Sequence, residues 1–110
     1  MTEEQRTRLE GMSRKGQPVT FKIKGGGGWE VVGIVEDEVY EMVSDYKHMI
    51  QRVRLSNAVD WGSEYAYRTG YYTYDAHMVH IKWGQYTQFL AEHTYRALLA
   101  KAHAKGWELF

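Results

Sequence analysis

The sequence predicts an α+β protein: a strongly curved antiparallel sheet or small open barrel of five or six strands, a short N-terminal helix, and a long C-terminal helix packed on the sheet. Three observations carry that expectation. Apolar residues alternate with a period of two from Val19 onward, turn-forming residues separate the alternating runs at hairpin spacing, and a helical period follows residue 87. The chain reads as one domain over 1–110, with a helical arm at 1–16, the sheet at 17–84, a helix at 87–105 and a short strand at 107–110.

Thr2 with Glu3, Glu4 and Gln5 fits a capping box, its acids placed where the helix dipole favours them, and Gly16 supplies a stop. Only Leu9 and Met12 form an apolar stripe, so this helix either packs as an arm or borrows a partner surface. Val19, Phe21 and Ile23 alternate with Thr20, Lys22 and Lys24 in a first strand. Four glycines at 25–28 read as a hairpin loop before a second strand at 29–35 (WEVVGIV). No helix carrying Lys and Ser or Thr follows them, as a phosphate-binding loop requires.

Residues 36–45 (EDEVYEMVSD) carry acids and no bases, and residues 47–55 (KHMIQRVRL) alternate again. A hairpin near Ser44 and Asp45 brings Glu38 or Glu41 opposite Arg52 or Arg54, a structural use for both arginines. Residues 57–63 (NAVDWGS) form a loop. The tyrosine-rich stretch YAYRTGYYTYD at 65–75 is a strand, joined through a tight connection at Asp75 and Ala76 to a strand at 77–83, whose more apolar face is His77, Val79, Ile81 and Trp83. Thr87 caps the last helix, which buries Ala91, Tyr95, Leu98, Leu99 and Ala102. Gly106 is a strong C′ signal, and Trp107 at C″ folds back on the helix, with Leu109 and Phe110 in a final short strand.

Composition narrows the function classes. With 44% apolar and 15% aromatic residues, including nine Tyr and four Trp, a single core fills without disulfides or metals. Fourteen basic and fourteen acidic residues give zero formal charge, so no global field attracts phosphate backbones, and near-neutrality favours self-association, most commonly as a homodimer. The lack of cysteine excludes disulfides and thiolate chemistry. With no apolar run of membrane-spanning length and an acidic N-terminal segment, the expectation is a soluble cytoplasmic protein without membrane partners.

Catalytic and metal patterns are weak. His77 and His80 fall on opposite faces of a strand, and His93 and His103 stand ten residues apart, so neither pair has metal-ligand spacing, and no cofactor is expected. The serines show no nucleophile elbow, and the paired acids read as turn residues. An enzyme is the less favoured class.

The tyrosine strand is the candidate site. Strict alternation places Tyr65, Tyr67 and Tyr71 on one face and Tyr72 and Tyr74 on the other. A bulge at Gly70 instead puts Tyr65, Tyr67, Tyr72 and Tyr74 together. On that basis a ligand-binding face is expected from Tyr65, Tyr67, Tyr72 and Tyr74, with Trp61 at its mouth, His80 and Lys82 as polar contacts, and Arg68 for an anionic group. The leading expectation is a binding module for a small, partly aromatic or amphipathic ligand. The alternatives are single-stranded nucleic-acid binding with Lys22, Lys24, Arg52, Arg54 and Arg68, a structural protein whose tyrosines form a homodimer seam, or tyrosines packed simply as core.

Overall fold

The computed structural model describes residues 1–22, 30–56, 64–84 and 92–107. The glycine loop at 25–28, Lys24, the loop bearing Trp61, the Thr87 cap, Ala91 and the strand expected at Leu109 and Phe110 lie outside the described residues. Five strands, β1 (Pro18–Lys22), β2 (Glu30–Val43), β3 (Tyr46–Leu55), β4 (Tyr65–Tyr74) and β5 (Ile81–Gly84), pair antiparallel in chain order and curl into a half-barrel. Helix α1 (Glu3–Glu10) covers one face of the sheet and α2 (Glu92–Ala104) the other. No helix among the described residues is long and apolar enough to cross a membrane.

The expected acidic strand is the second half of one long strand, because β2 runs for 14 residues through a register shift between Val35 and Asp37. An extra residue at this point sharpens the local twist. It also changes the charge pairing: Glu36, not Glu38 or Glu41, meets the arginines, at 3.8 Å from Arg52 and 3.1 Å from Arg54. Glu41 turns to Lys101 at 2.9 Å. A two-residue turn at Ser44 and Asp45 closes the β2–β3 hairpin, with Ser44 at φ 51°.

β1 pairs only with residues 30–34 of β2. Beyond that point the chain following α1 takes over, with Val35 N–H donating to Gln17 O at 3.0 Å and Gly16 N–H to Val35 O at 2.8 Å. Further along, Lys101 Nζ donates to Tyr40 O at 2.7 Å, a lysine placed on the β2 edge.

Helix α1 begins at the expected capping box, Gln5 N–H donating to Thr2 Oγ1 at 3.1 Å and Thr2 N–H to Gln5 Oε1 at 2.8 Å. It ends at Gly11, earlier than the expected Gly16, which instead sits at φ 85° in the turn into β1. The helix is no loose arm. Leu9 is completely buried among Met49, Tyr72 and Tyr74, and Tyr74 Oη donates to Gln5 O at 2.9 Å. Lys47 reaches from the sheet to the helix end, donating to Met12 O at 2.5 Å and to Glu10 O, with its ammonium 4.3 Å from the Tyr40 ring centre. Burial holds the Lys47 amine below its ordinary pKa, against the pull of Glu38 and Glu10.

On the other face, Leu98 and Ala102 of α2 pack on Val39 and Ile50, which are cross-strand partners. Complete burial of a leucine such as Leu98 stabilises the fold by about 1.5–3 kcal/mol. The helix ends as its sequence predicts: Gly106 at φ 81° donates to His103 O at 2.9 Å, and Trp107 N–H to Ala102 O at 3.1 Å. Trp107 folds back, 3% exposed, against Tyr67.

Candidate functional site

The β3–β4 register decides where each tyrosine points. It runs without a break from Arg54 opposite Tyr65 to Tyr46 opposite Thr73, so there is no bulge at Gly70. Strict alternation holds. Tyr65, Tyr67 and Tyr71 lie on the α2 face, while Tyr72 and Tyr74 lie on the α1 face, and the expected four-tyrosine wall does not form.

Gly70 has a different purpose. A Cβ there would lie 2.3 Å from Cη2 and Cζ2 of Trp83, so the missing side chain is the space in which that indole rests. Gly84 does the same for Tyr71, whose ring would meet a Cβ at 2.3 Å. These two glycine–aromatic pairs lock the short β5 onto β4.

Tyr72 and Tyr74 are core residues, 3% and 6% exposed, and the Tyr72 ring meets Trp83 at 4.8 Å between centres. Burial raises the Tyr72 phenol pKa, opposed by the charge and hydrogen bond of Arg14. Arg68 shares this face: its Nε donates at 2.6 Å to Oε1 of the fully buried Gln51, whose Nε2 donates at 2.6 Å to Glu38 Oε2. Arg14 and Arg68 each hold a guanidinium 5.2 Å from the Trp83 ring centre.

His80 and Lys82 join neither group of buried tyrosines. The strand expected from His77 begins only at Ile81, because Asp75 Oδ1 accepts the backbone N–H of His77 at 3.2 Å and of Val79 at 3.0 Å, turning residues 75–80 into a loop. The Val79 bond leads the interactions that lower the Asp75 pKa. His80 is exposed in that loop, and Val79 is exposed where an inward position was expected. Lys82 is exposed on the α2 face, opposite Thr73. Ile81 and Trp83 do turn inward, facing Tyr74 and Tyr72.

Among the described residues, a partly accessible group of aromatic rings in mutual contact lies on the α2 face, at the β2–β3 hairpin end. Val43, Tyr46, Thr73 and Lys82 form one cross-strand row; Glu41, His48, Tyr71 and Gly84 form the next. Tyr46 and His48 stack with rings 5.6 Å apart and 6° from parallel, and Tyr71 meets Tyr46 edge-on at 5.5 Å and His48 at 6.5 Å. Tyr46 is 43% exposed, and His48 and Tyr71 are half-buried. At the other end of β4, Tyr65 stacks under Arg52, whose guanidinium carbon is 3.6 Å from the ring centre. Tyr67 lies between, under Trp107.

Sequence reasoning missed Tyr46, His48 and Tyr71. The available signal was the two-residue turn: it fixes Tyr46 and His48 on one face, and an unbroken β4 then adds Tyr71. Among the described residues no group of three His, Asp or Glu side chains is arranged to hold a metal. Compared with protein families, curated proteins and solved structures, the chain matches none of them.

Proposed function

We propose that this chain is a binding module that takes a small, partly aromatic ligand on the ridge of Tyr46, His48 and Tyr71. The single observation that carries this reading is three aromatic rings in mutual contact on a sheet surface, with Tyr46 substantially exposed. Flat ligand rings gain from stacking on such a surface, and the phenol and imidazole edges offer hydrogen bonds at fixed positions. Lys82, in the same cross-strand row as Tyr46 with Thr73 between them, supplies a cation at the margin for an amphipathic ligand.

Nucleic acid has less support as the ligand. Arg52 and Arg54 are both engaged by Glu36, and Arg68 is on the opposite face, so these three arginines do not form one basic track beside the rings.

The test is a thermal-shift screen of small aromatic compounds, repeated with Tyr46→Ala and Tyr71→Ala. A ligand of the parent should bind each variant about three- to ten-fold more weakly, as expected for one lost aromatic contact. A ligand indifferent to both substitutions overturns the proposal. Sedimentation on the same samples separates a further outcome: a dimeric parent that becomes a folded monomer on Tyr46→Ala assigns the ridge to a homodimer seam.

A further inference from the structure

We infer that the ligand of the aromatic ridge is an aromatic carboxylic acid, its flat ring on Tyr46 and Tyr71 and its carboxylate held by the Lys82 ammonium and the Tyr71 hydroxyl. The inference rests on the ridge being the binding surface, and adds the charge of the ligand and the two groups that recognise it.

The Tyr71 ring lies across β5. A Cβ on Gly84 would stand 2.3 Å from its Cζ and 2.5 Å from its Oη, so the phenol end of Tyr71 occupies the place of the missing Gly84 side chain. Lys82 is two residues before Gly84 on the same strand and therefore on the same face, about 7 Å away along the chain. The glycine thus brings the Tyr71 hydroxyl over to the strand that bears the lysine. Lys82 also ends the cross-strand row that holds Tyr46, two strand spacings or about 10 Å from it. A ring seated on Tyr46 and Tyr71 can project a substituent toward Lys82, and the flexible stem of the lysine covers the remaining distance.

Charge decides what that substituent is. Glu41, the acid in the His48 row, is paired with Lys101 at 2.9 Å. Lys82 is exposed and forms no ion pair with a described residue, and the Tyr71 hydroxyl has no hydrogen-bond partner among them. The margin of the ridge therefore presents a cation and a neutral donor side by side. An anion accepts from both, whereas a neutral ligand leaves the charge unused and a cationic one is repelled. A carboxylate suits the pair because its two oxygens accept from two donors at once.

The experiment is a pair of NMR titrations of the full chain, with naphthoate and with its neutral counterpart naphthamide, which carries the same rings without the charge. Naphthoate is expected to bind about five-fold more tightly, as an exposed charge contact and one added hydrogen bond allow. Lys82→Gln should remove that preference by weakening naphthoate alone. Tyr71→Phe, which keeps the ring and loses only the hydroxyl, should reduce it about two-fold. On the parent alone, added sodium chloride should erode the preference, because an exposed charge contact is screened. Equal binding of the two compounds, no binding of naphthoate, or a preference indifferent to salt or to Lys82→Gln overturns the inference. Tyr46→Ala separates that failure from failure of the ridge: if it weakens both compounds the ridge stands without the acid, and if it weakens neither the ridge itself is overturned.

Discussion

The two faces of the sheet use the same residue types to opposite ends. On the α1 face, Tyr72 and Tyr74 are sealed beneath Leu9 and beside Trp83, and the Tyr74 hydroxyl is satisfied by the backbone of α1. On the α2 face, Tyr46 and Tyr71 form a ridge with rings left partly open. Tyr71 and Tyr72 are neighbours in sequence and belong to different environments. Tyrosine tolerates both because its ring rewards burial while its hydroxyl needs only one partner, protein or water. A tyrosine-rich strand is therefore two half-sites back to back, and its composition alone does not say which half is available.

The largest expected effect falls on the sealed face. Tyr72→Ala removes a buried ring packed on Met49 and Trp83 and should cost about 3–5 kcal/mol in chemical denaturation. A cost under about 1 kcal/mol, typical of a surface position, would break the contrast between the faces.

Next is Gly70→Ala, which tests why that glycine is there. The new methyl would collide with Trp83, so a loss of about 1–3 kcal/mol is expected, along with a changed tryptophan fluorescence spectrum. Unchanged stability would mean that the indole does not rest on Gly70.

Smallest is the charge at the β2 bulge. Burial raises the Asp37 pKa, but the Lys105 bond at 2.9 Å, the Glu38 N–H and the charges of Lys105 and Lys15 together bring it below its ordinary value. A depressed carboxylate pKa contributes stability that is present above the unfolded value of about 3.9 and is lost as the pH falls through the folded value. Asp37→Asn should therefore be slightly less stable at pH 7, by under about 1 kcal/mol for so exposed a pair, with the gap to the parent closing below about pH 4. A gap that persists into acid would assign the effect to something other than this ionisation.

Local signals were legible in the sequence and non-local ones were not. Thr2 with Gln5, and Gly106 with Trp107, announce their helix ends because each cap is completed within a few residues. Alternation in β3 was equally plain: Met49, Gln51, Val53 and Leu55 share a buried face. Gly70 was ambiguous because a glycine in a strand serves either a bulge or a close aromatic contact, and the deciding residue, Trp83, is on the next strand. The real register shift, between Val35 and Asp37, involves no glycine and left no mark in the sequence pattern. The late start of β5 came from Asp75 competing for backbone N–H groups, a turn mechanism readable from its residue type but overlooked beside the alternating run that follows. Of the expected site, Arg68 and Tyr72 come together with Arg14 and Trp83; Tyr65, Tyr67 and Lys82 are on the other face; His80 is in a loop.

The division of the tyrosines between sealed and open faces is tested most directly by photo-CIDNP NMR, in which a dye polarises only tyrosine, histidine and tryptophan rings that it can touch. Polarised signals are predicted for Tyr46 and Tyr71, and none for Tyr72 or Tyr74. Polarisation of Tyr72 or Tyr74 with Tyr71 silent would contradict the strand register and, with it, the assignment of the aromatic ridge as the binding surface.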